Sequence, residues 1–173
     1  MAIQQCFSIG LLNPKNPTNV ASVLRAVGCY QGSSVFYTGQ RYARAKAFNA
    51  DTQAMHKVIP TVGVPDLQQA KPKGARTVVV ELVEGAQPLP HYEHPDNAFY
   101  IFGPEDGSVT NEILRWADDV VYIPTKGCMN LAATVNVVLY DRLAKSNFEA
   151  SDETIRASRD TNNRTRIFRK TSC

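Results

Sequence analysis

Cysteine is scarce in this chain, and its four residues (Cys6, Cys29, Cys128 and Cys173) lie far apart with no C-x-x-C pair. That spacing argues against a zinc site and, in a 173-residue chain, for reduced thiols. No window approaches the roughly 20 consecutive apolar residues of a membrane span. Residues 1–10 lack a basic start followed by a long apolar run, so no secretion signal is expected and the cytoplasm is the expected setting. Glycine-rich phosphate loops are missing as well: neither G-x-G-x-x-G nor a Walker pattern occurs, which counts against an ordinary nucleotide-binding fold. Internal repeats and low-complexity linkers are absent, and the length suits one domain with a sizeable core. No membrane partner and no metal are expected.

What is present is an alternation of strand and helix signals. Residues 6–12 read as a buried strand running into Asn13-Pro14-Lys15-Asn16-Pro17-Thr18-Asn19, a succession of turn formers. Val20, Val23, Leu24 and Val27 then recur at helical spacing up to Gly28. A short strand is expected at 34–37. Residues 38–53 show no clean period and read as loop with a short helix. A strand interrupted by Pro60 is expected at 58–64, and a short helix at 66–71. Stronger signals follow: strands at 76–82, 98–102 and 120–123, and a helix at 110–116 with Thr110 as candidate N-cap. The most hydrophobic helix of the chain covers 131–145. Strands separated by helices predict an α/β fold, a mostly parallel sheet with helices on both faces. Ligands of such sheets bind beyond the carboxyl ends of the strands. That rule selects three loops: the one after Leu82, the one at Gly103-Pro104-Glu105, and the one at Pro124-Thr125-Lys126-Gly127.

Three constellations fall in or near these places. Asn19 stands at the mouth of the first helix, where a side-chain oxygen can cap free N–H groups. Arg25, six residues on, lies off that face and among Val20, Val23, Leu24, Ala26 and Val27, company in which a guanidinium usually needs an anionic partner. A capped surface helix with one solvent-facing Arg accounts for the same spacing. Gly103, at a strand end, lets a ligand approach the backbone, and Glu105 is placed to position a neighbouring loop; a plain turn is the competing reading. Asn130 opens the last long helix, either as its cap or as a site residue. Cys128 precedes that helix, a position that favours a reactive thiol, but His56, His91 and His94 are all distant in sequence.

In this order and with these gaps, the three constellations resemble the motifs of the SPOUT-class trefoil-knot methyltransferases, most closely the SpoU-type branch that methylates ribose 2′-oxygens in transfer or ribosomal RNA. Asn19 and Arg25 match the first motif, Gly103-Pro104-Glu105 the second, and Ile123-Pro124 with Asn130 the third; the likeness spans roughly residues 6–145. It implies a deep C-terminal knot, a rare exception to the usual topology rules, and a homodimer with the active site near the subunit boundary. It also implies S-adenosylmethionine as cofactor, contacted by Leu82, Gly103, Ile123, Cys128 and Leu131, and catalysis by Arg25, Asn19, Glu105 and Asn130. Residues 1–150 would form the methyltransferase domain and 151–173 a basic extension. Some positions depart from the pattern. Ala21 replaces a Gly, Asp106-Gly107-Ser108-Val109 replaces the usual continuation of the second motif, and Cys128 replaces a Ser. The loop from Pro124 to Asn130 is about three residues short, which leaves the shape of the adenosine pocket open.

The resemblance makes Arg25 the usual candidate to accept the hydroxyl proton. Because a guanidinium is a poor base, Arg25 is expected instead to grip the phosphate beside the target ribose, with that phosphate or a water taking the proton and Asn19 and Asn130 orienting Arg25 and the ribose. Base methylation by the same fold and a non-catalytic cofactor- or RNA-binding relative are the alternatives. The net charge is only +3, but residues 156–170 hold Arg156, Arg159, Arg164, Arg166, Arg169 and Lys170 against the single acid Asp160. Arg41, Arg44 and Lys46 are interleaved with Tyr37, Tyr42 and Phe48, a mixture suited to phosphate contact and base stacking. Arg41, Arg44, Arg164, Arg166 and Arg169 are the candidate RNA contacts. Replacing Arg164, Arg166 and Arg169 together is expected to weaken RNA binding and to flatten its dependence on salt, as read from binding isotherms at several ionic strengths. Unchanged isotherms would remove the tail from the interface.

Overall fold

The β-branched and aromatic runs of the chain pair into one sheet. In a computed structural model, which describes residues 6–48 and 58–167, its strands are β1 (Cys6–Leu11), β2 (Ser34–Tyr37), β3 (Thr61–Gly63), β4 (Arg76–Val80), β5 (Gln87–Pro88), β6 (Asn97–Phe102) and β7 (Asp119–Tyr122). Their order is β3-β2-β1-β6-β4-β7-β5, and every pairing is parallel. β1 and β6 lie side by side over their full lengths, Cys6 opposite Asn97 and Leu11 opposite Phe102. Parallel strands need crossovers, and six α-helices accompany them among the described residues: α1 (Pro17–Cys29), α2 (Arg41–Phe48), α3 (Leu67–Ala70), α4 (Asn111–Trp116), α5 (Leu131–Ala144) and α6 (Asp152–Ser158).

Both faces of the sheet are covered. The two-residue alternation of β6 sends Ala98, Tyr100 and Phe102 into a core shared with Val20, Val23 and Val27 of α1 and Val135, Val138 and Leu139 of α5. Phe99 and Ile101 point the other way, into a smaller core with Leu67 of α3 and Ile113 of α4. The near-continuous apolar strands expected of a doubly covered sheet are thus present in β4 and β6.

The structure corrects several local expectations. Asn16, not Asn19, caps α1: its side chain accepts from the Thr18 N–H, and Pro17 occupies the first turn, where its fixed φ is already helical and its missing N–H costs nothing. Asn19 therefore lies inside the first turn. Thr110 holds the N-cap position of α4 but makes no side-chain cap bond. Two elements lacked a legible period: β5, two residues long, and α6, a seven-residue helix capped by Ser151 that buries no side chain.

α5 packs on α1, and its C-terminal half is held by a buried polar knot of side chains. Arg142 is 5% exposed; it donates to the carbonyls of Pro95 (2.7 Å) and Asp96 (2.8 Å) and to the Tyr100 hydroxyl (3.1 Å). Tyr100 contacts His94 Nδ1, and His94 Nε2 meets Asp141 at 2.9 Å, which Lys145 also reaches at 2.7 Å. Because a carboxylate only accepts, Nε2 carries the proton in neutral His94, and Nδ1 accepts from Tyr100. Burial lowers the His94 pKa against the opposing pull of Asp141, and burial pushes the Tyr100 hydroxyl up to about 12 despite Arg142. His94 and Tyr100 therefore stand neutral among three charged groups, Arg142, Asp141 and Lys145. Arg142→Ala removes a buried guanidinium from two part-buried carbonyls and the Tyr100 hydroxyl and is expected to cost about 3 kcal/mol of folding stability, measured by urea denaturation; a loss under about 1 kcal/mol would show that water replaces the guanidinium.

Candidate active site

The three strand-end loops converge. A cleft at the carboxyl ends of β4, β6 and β7 is lined by Leu82, Gly103, Ile123, Cys128 and Leu131, all five of the residues expected to contact a cofactor. Thr125, Gly127 and Met129 of the shortened third loop line it too, so the loop still reaches the cleft. Two short bonds hold that loop in shape: Thr125 N–H to the Ile123 carbonyl at 2.8 Å, and Thr125 Oγ1 to the Gly127 carbonyl at 2.7 Å. Glu81, Tyr122 and Thr134 also line the cleft and escaped the sequence reading, because no spacing rule separates them from their strand and helix neighbours. A Cβ at Gly103 would stand 3.2 Å from Glu81 Oε2 and 3.3 Å from Val109, tighter than usual, so the glycine spares both neighbours a small displacement.

Beside the cleft, Glu105, Asn19 and Asn130 form one hydrogen-bonded relay. Asn130 Oδ1 accepts from the N–H groups of Ala132 (2.9 Å) and Ala133 (3.3 Å), capping α5, while its Nδ2 donates to Asn19 Oδ1 at 3.0 Å. Asn19 Nδ2 in turn donates to Glu105 Oε1 at 3.1 Å. The carboxylate also accepts from the Lys15 N–H (2.8 Å) and the Asn16 N–H (3.1 Å). Asn130 serves two partners at once, its amide oxygen capping the helix and its amide nitrogen bonding Asn19. Partial burial pushes the Glu105 pKa up, but the donated N–H groups of Lys15, Asn19 and Asn16 outweigh it and the net shift is downward.

The irregular continuation of the second motif has a structural use. Asp106 accepts two bonds from Arg41 Nη1, at 2.9 and 2.8 Å, with Lys15 3.6 Å away. Arg41 also donates through Nε to the Asn13 carbonyl at 3.1 Å and through Nη2 to the same oxygen. Its guanidinium thus fastens α2 to the loops after β1 and β6, and it comes to any RNA already paired. Arg44 donates to Gln40 at 2.6 Å and stays exposed. Arg164 and Arg166 are exposed, whereas Arg169 lies outside the described residues.

Arg25 follows the solvent-facing reading of its spacing and not the reading that called for an anionic partner. It is exposed, on the face of α1 opposite its buried apolar neighbours Val20, Val23, Leu24, Ala26 and Val27, and no anion partners it among the described residues. The structure joins Asn19, Glu105 and Asn130 within one chain and leaves Arg25 apart, so the two asparagines bond to one another and not to Arg25.

Comparison with known proteins places this geometry. Residues 7–140 match the model of the SpoU rRNA methylase family. A tRNA (guanosine(18)-2′-O)-methyltransferase of Thermus thermophilus is 27% identical over 148 residues, 80% of this chain and 74% of that protein. Among solved structures, the A. aeolicus TrmH/SpoU tRNA modifying enzyme superposes with a TM-score of 0.69 at 20% identity, covering 93% of this chain and 83% of its own. The SpoU methyltransferase AviRb from Streptomyces viridochromogenes, in complex with the cofactor AdoMet, gives 0.65 at 15% identity over 82% of this chain and 61% of that one. These structural likenesses establish the shared fold.

The depressed pKa of Glu105 sets a sign. Its carboxylate contributes stability that is fully present above the unfolded value near 4.5 and is lost as pH falls through the lower folded value. Glu105→Gln turns an amide N–H toward the donors of Lys15 and Asn16, and is expected to cost about 1 kcal/mol at neutral pH. Thermal melts from pH 7 to pH 3 should show wild type and variant converging on the acid side; a constant gap would mean that the carboxylate charge is not what holds the loops.

Proposed function

The chain belongs to the SpoU rRNA methylase family, and from that premise we propose that it transfers a methyl group from S-adenosylmethionine to the 2′-hydroxyl of a ribose in tRNA or rRNA. The observation that carries this reading is the convergence of all three motifs at one place: the cleft with its five expected contact residues, bordered by the Glu105–Asn19–Asn130 relay.

The lining of the cleft fits that cofactor. Leu82, Ile123, Met129 and Leu131 offer apolar surface for a nucleoside, and Gly103 and Gly127 expose backbone. The lining contains the carboxylates of Glu81 and Glu105 and no Lys, Arg or His among the described residues, so it suits a ligand without phosphates. Bound there, S-adenosylmethionine supplies a methyl carbon activated by positively charged sulfur. The residues of the chain would place the ribose hydroxyl against that carbon, and the hydroxyl proton would need an acceptor.

The chain's own residues hold and orient. The relay locks the start of α5 and the loop before α1 to the Gly103-Pro104-Glu105 turn, giving the reacting groups a rigid frame. Arg25 is always charged and therefore a poor base. Exposed and without an anionic partner among the described residues, it is available to grip the phosphate next to the target ribose, leaving that phosphate or a water to accept the proton. A homodimer is part of this reading. The outward faces of α1 (Ala21, Ser22, Arg25, Cys29) and α5 (Ala133, Asn136, Tyr140) are small or apolar around one arginine, a surface that a second copy would cover while bringing Arg25 to the subunit boundary. So are the deep C-terminal knot, the cytoplasmic setting and the separation of a basic extension at 151–173. In their support, α5 returns from β7 to pack on α1, no helix among the described residues is long and apolar enough to cross a membrane, and α6 buries nothing.

Mass-spectrometric comparison of nucleosides in RNA with and without the protein tests the reaction; a methylated base in place of a 2′-O-methylribose would overturn it. Arg25→Ala is expected to slow methyl transfer by about 100-fold or more with folding unchanged, since its side chain packs on nothing buried. Near-normal turnover in a labelled-methyl assay would end its proposed role.

A further inference from the structure

Glu81 stands at the carboxyl end of β4, half-buried and lining the cleft. Oε1 accepts from the Leu82 N–H at 3.0 Å and Oε2 from the Val109 N–H at 2.8 Å, so the carboxylate is fixed between the first loop and the one that follows Gly103. Gly103, itself part of the cleft wall, leaves just enough room beside Oε2. Each carboxylate oxygen has about two acceptor positions, and one of each is taken. No Lys, Arg or His pairs with Glu81 among the described residues, and none lines the cleft. A half-buried carboxylate without a counter-ion is costly unless a positive charge arrives to offset it.

We propose that Glu81 is a cofactor-binding residue that selects the positively charged methyl donor over its spent form; the inference rests on the S-adenosylmethionine reading above. At neutral pH the donor carries a sulfonium, an ammonium and a carboxylate, one net positive charge. Loss of the methyl group converts the sulfonium to a neutral sulfide, and S-adenosylhomocysteine has no net charge. Shape and hydrogen-bonding groups are otherwise shared, so charge is the property by which the cleft can tell them apart. An uncompensated carboxylate in the wall therefore favours loading of the donor and release of the product.

Calorimetric titration of the full-length protein with each ligand tests this without RNA or turnover. Glu81→Gln removes the charge and keeps an oxygen for one of the two backbone N–H groups, the other then facing its amide nitrogen. It is expected to weaken S-adenosylmethionine binding by about tenfold and S-adenosylhomocysteine binding by less than about threefold, with the preference restored in Glu81→Asp. A bracing role alone would move both affinities by the same factor, and that equal shift overturns the proposal. Should Glu81→Gln fold poorly by its melting curve, the wild-type preference and its persistence in Glu81→Asp still decide: a wild type that binds both ligands equally refutes the selection. A wild type that binds neither ligand overturns the cofactor reading itself, and is thereby distinguishable from failure of the selection.

Discussion

Asparagine side chains have two ends of opposite character, and the relay between Glu105 and α5 leaves neither asparagine a choice of orientation. The carboxylate of Glu105 accepts only, so Asn19 must present its nitrogen there and its oxygen to the other side. The free N–H groups at the start of α5 donate only, so Asn130 must present its oxygen to them and its nitrogen outward. The middle bond, Asn130 nitrogen to Asn19 oxygen, is the one remaining arrangement, and it is satisfied at 3.0 Å. A positive helix end and a negative side chain thereby fix a polar line across three separate strand ends. The cleft wall, the capped start of α5 and the loop before α1 all take their positions from it.

The same economy of donors and acceptors operates on the far side of the molecule. Arg142, Tyr100, His94, Asp141 and Lys145 set the azimuth of the C-terminal half of α5, as the relay sets that of its N-terminus. Between these two polar anchorages the helix is held by apolar packing on α1 and on the inward face of β6. Apolar contacts tolerate sliding; directional bonds at both ends do not.

Much of this was legible in the sequence. The long apolar runs of β4 and β6 and the helical spacing of α1 and α5 announced a doubly covered parallel sheet, and the strand-end rule picked the three loops that line the cleft. Asn130 was readable as a helix cap because helix starts need acceptors. Other features were hidden for physical reasons. Asn16 and Asn19 compete as caps in one turn-rich run, and only the helical φ of Pro17 decides between them. Arg25 is flanked in sequence by apolar residues that point the other way, so linear neighbourhood misrepresented its surroundings. Arg41 was read as an RNA contact from its basic and aromatic neighbours, because its partner Asp106 is 65 residues away. Glu81 carries no motif at all; its meaning lies in what surrounds it.

The relay also has a history in every molecule synthesised. Asn19 is 86 residues from Glu105 and 111 from Asn130, so its bonds close some of the longest loops in the chain. Such closures come late, after nearer strands and helices have paired. During translation the sheet through β7 can assemble while Val20, Val23 and Val27 still lack their cover from α5. A growing or truncated chain that stops short of Ala144 is therefore deficient twice over: its cleft is open at one wall, and a stripe of apolar surface is left facing water. Completion of the site and concealment of that stripe are a single docking event, so a finished active site is also a signature of a chain safe from aggregation.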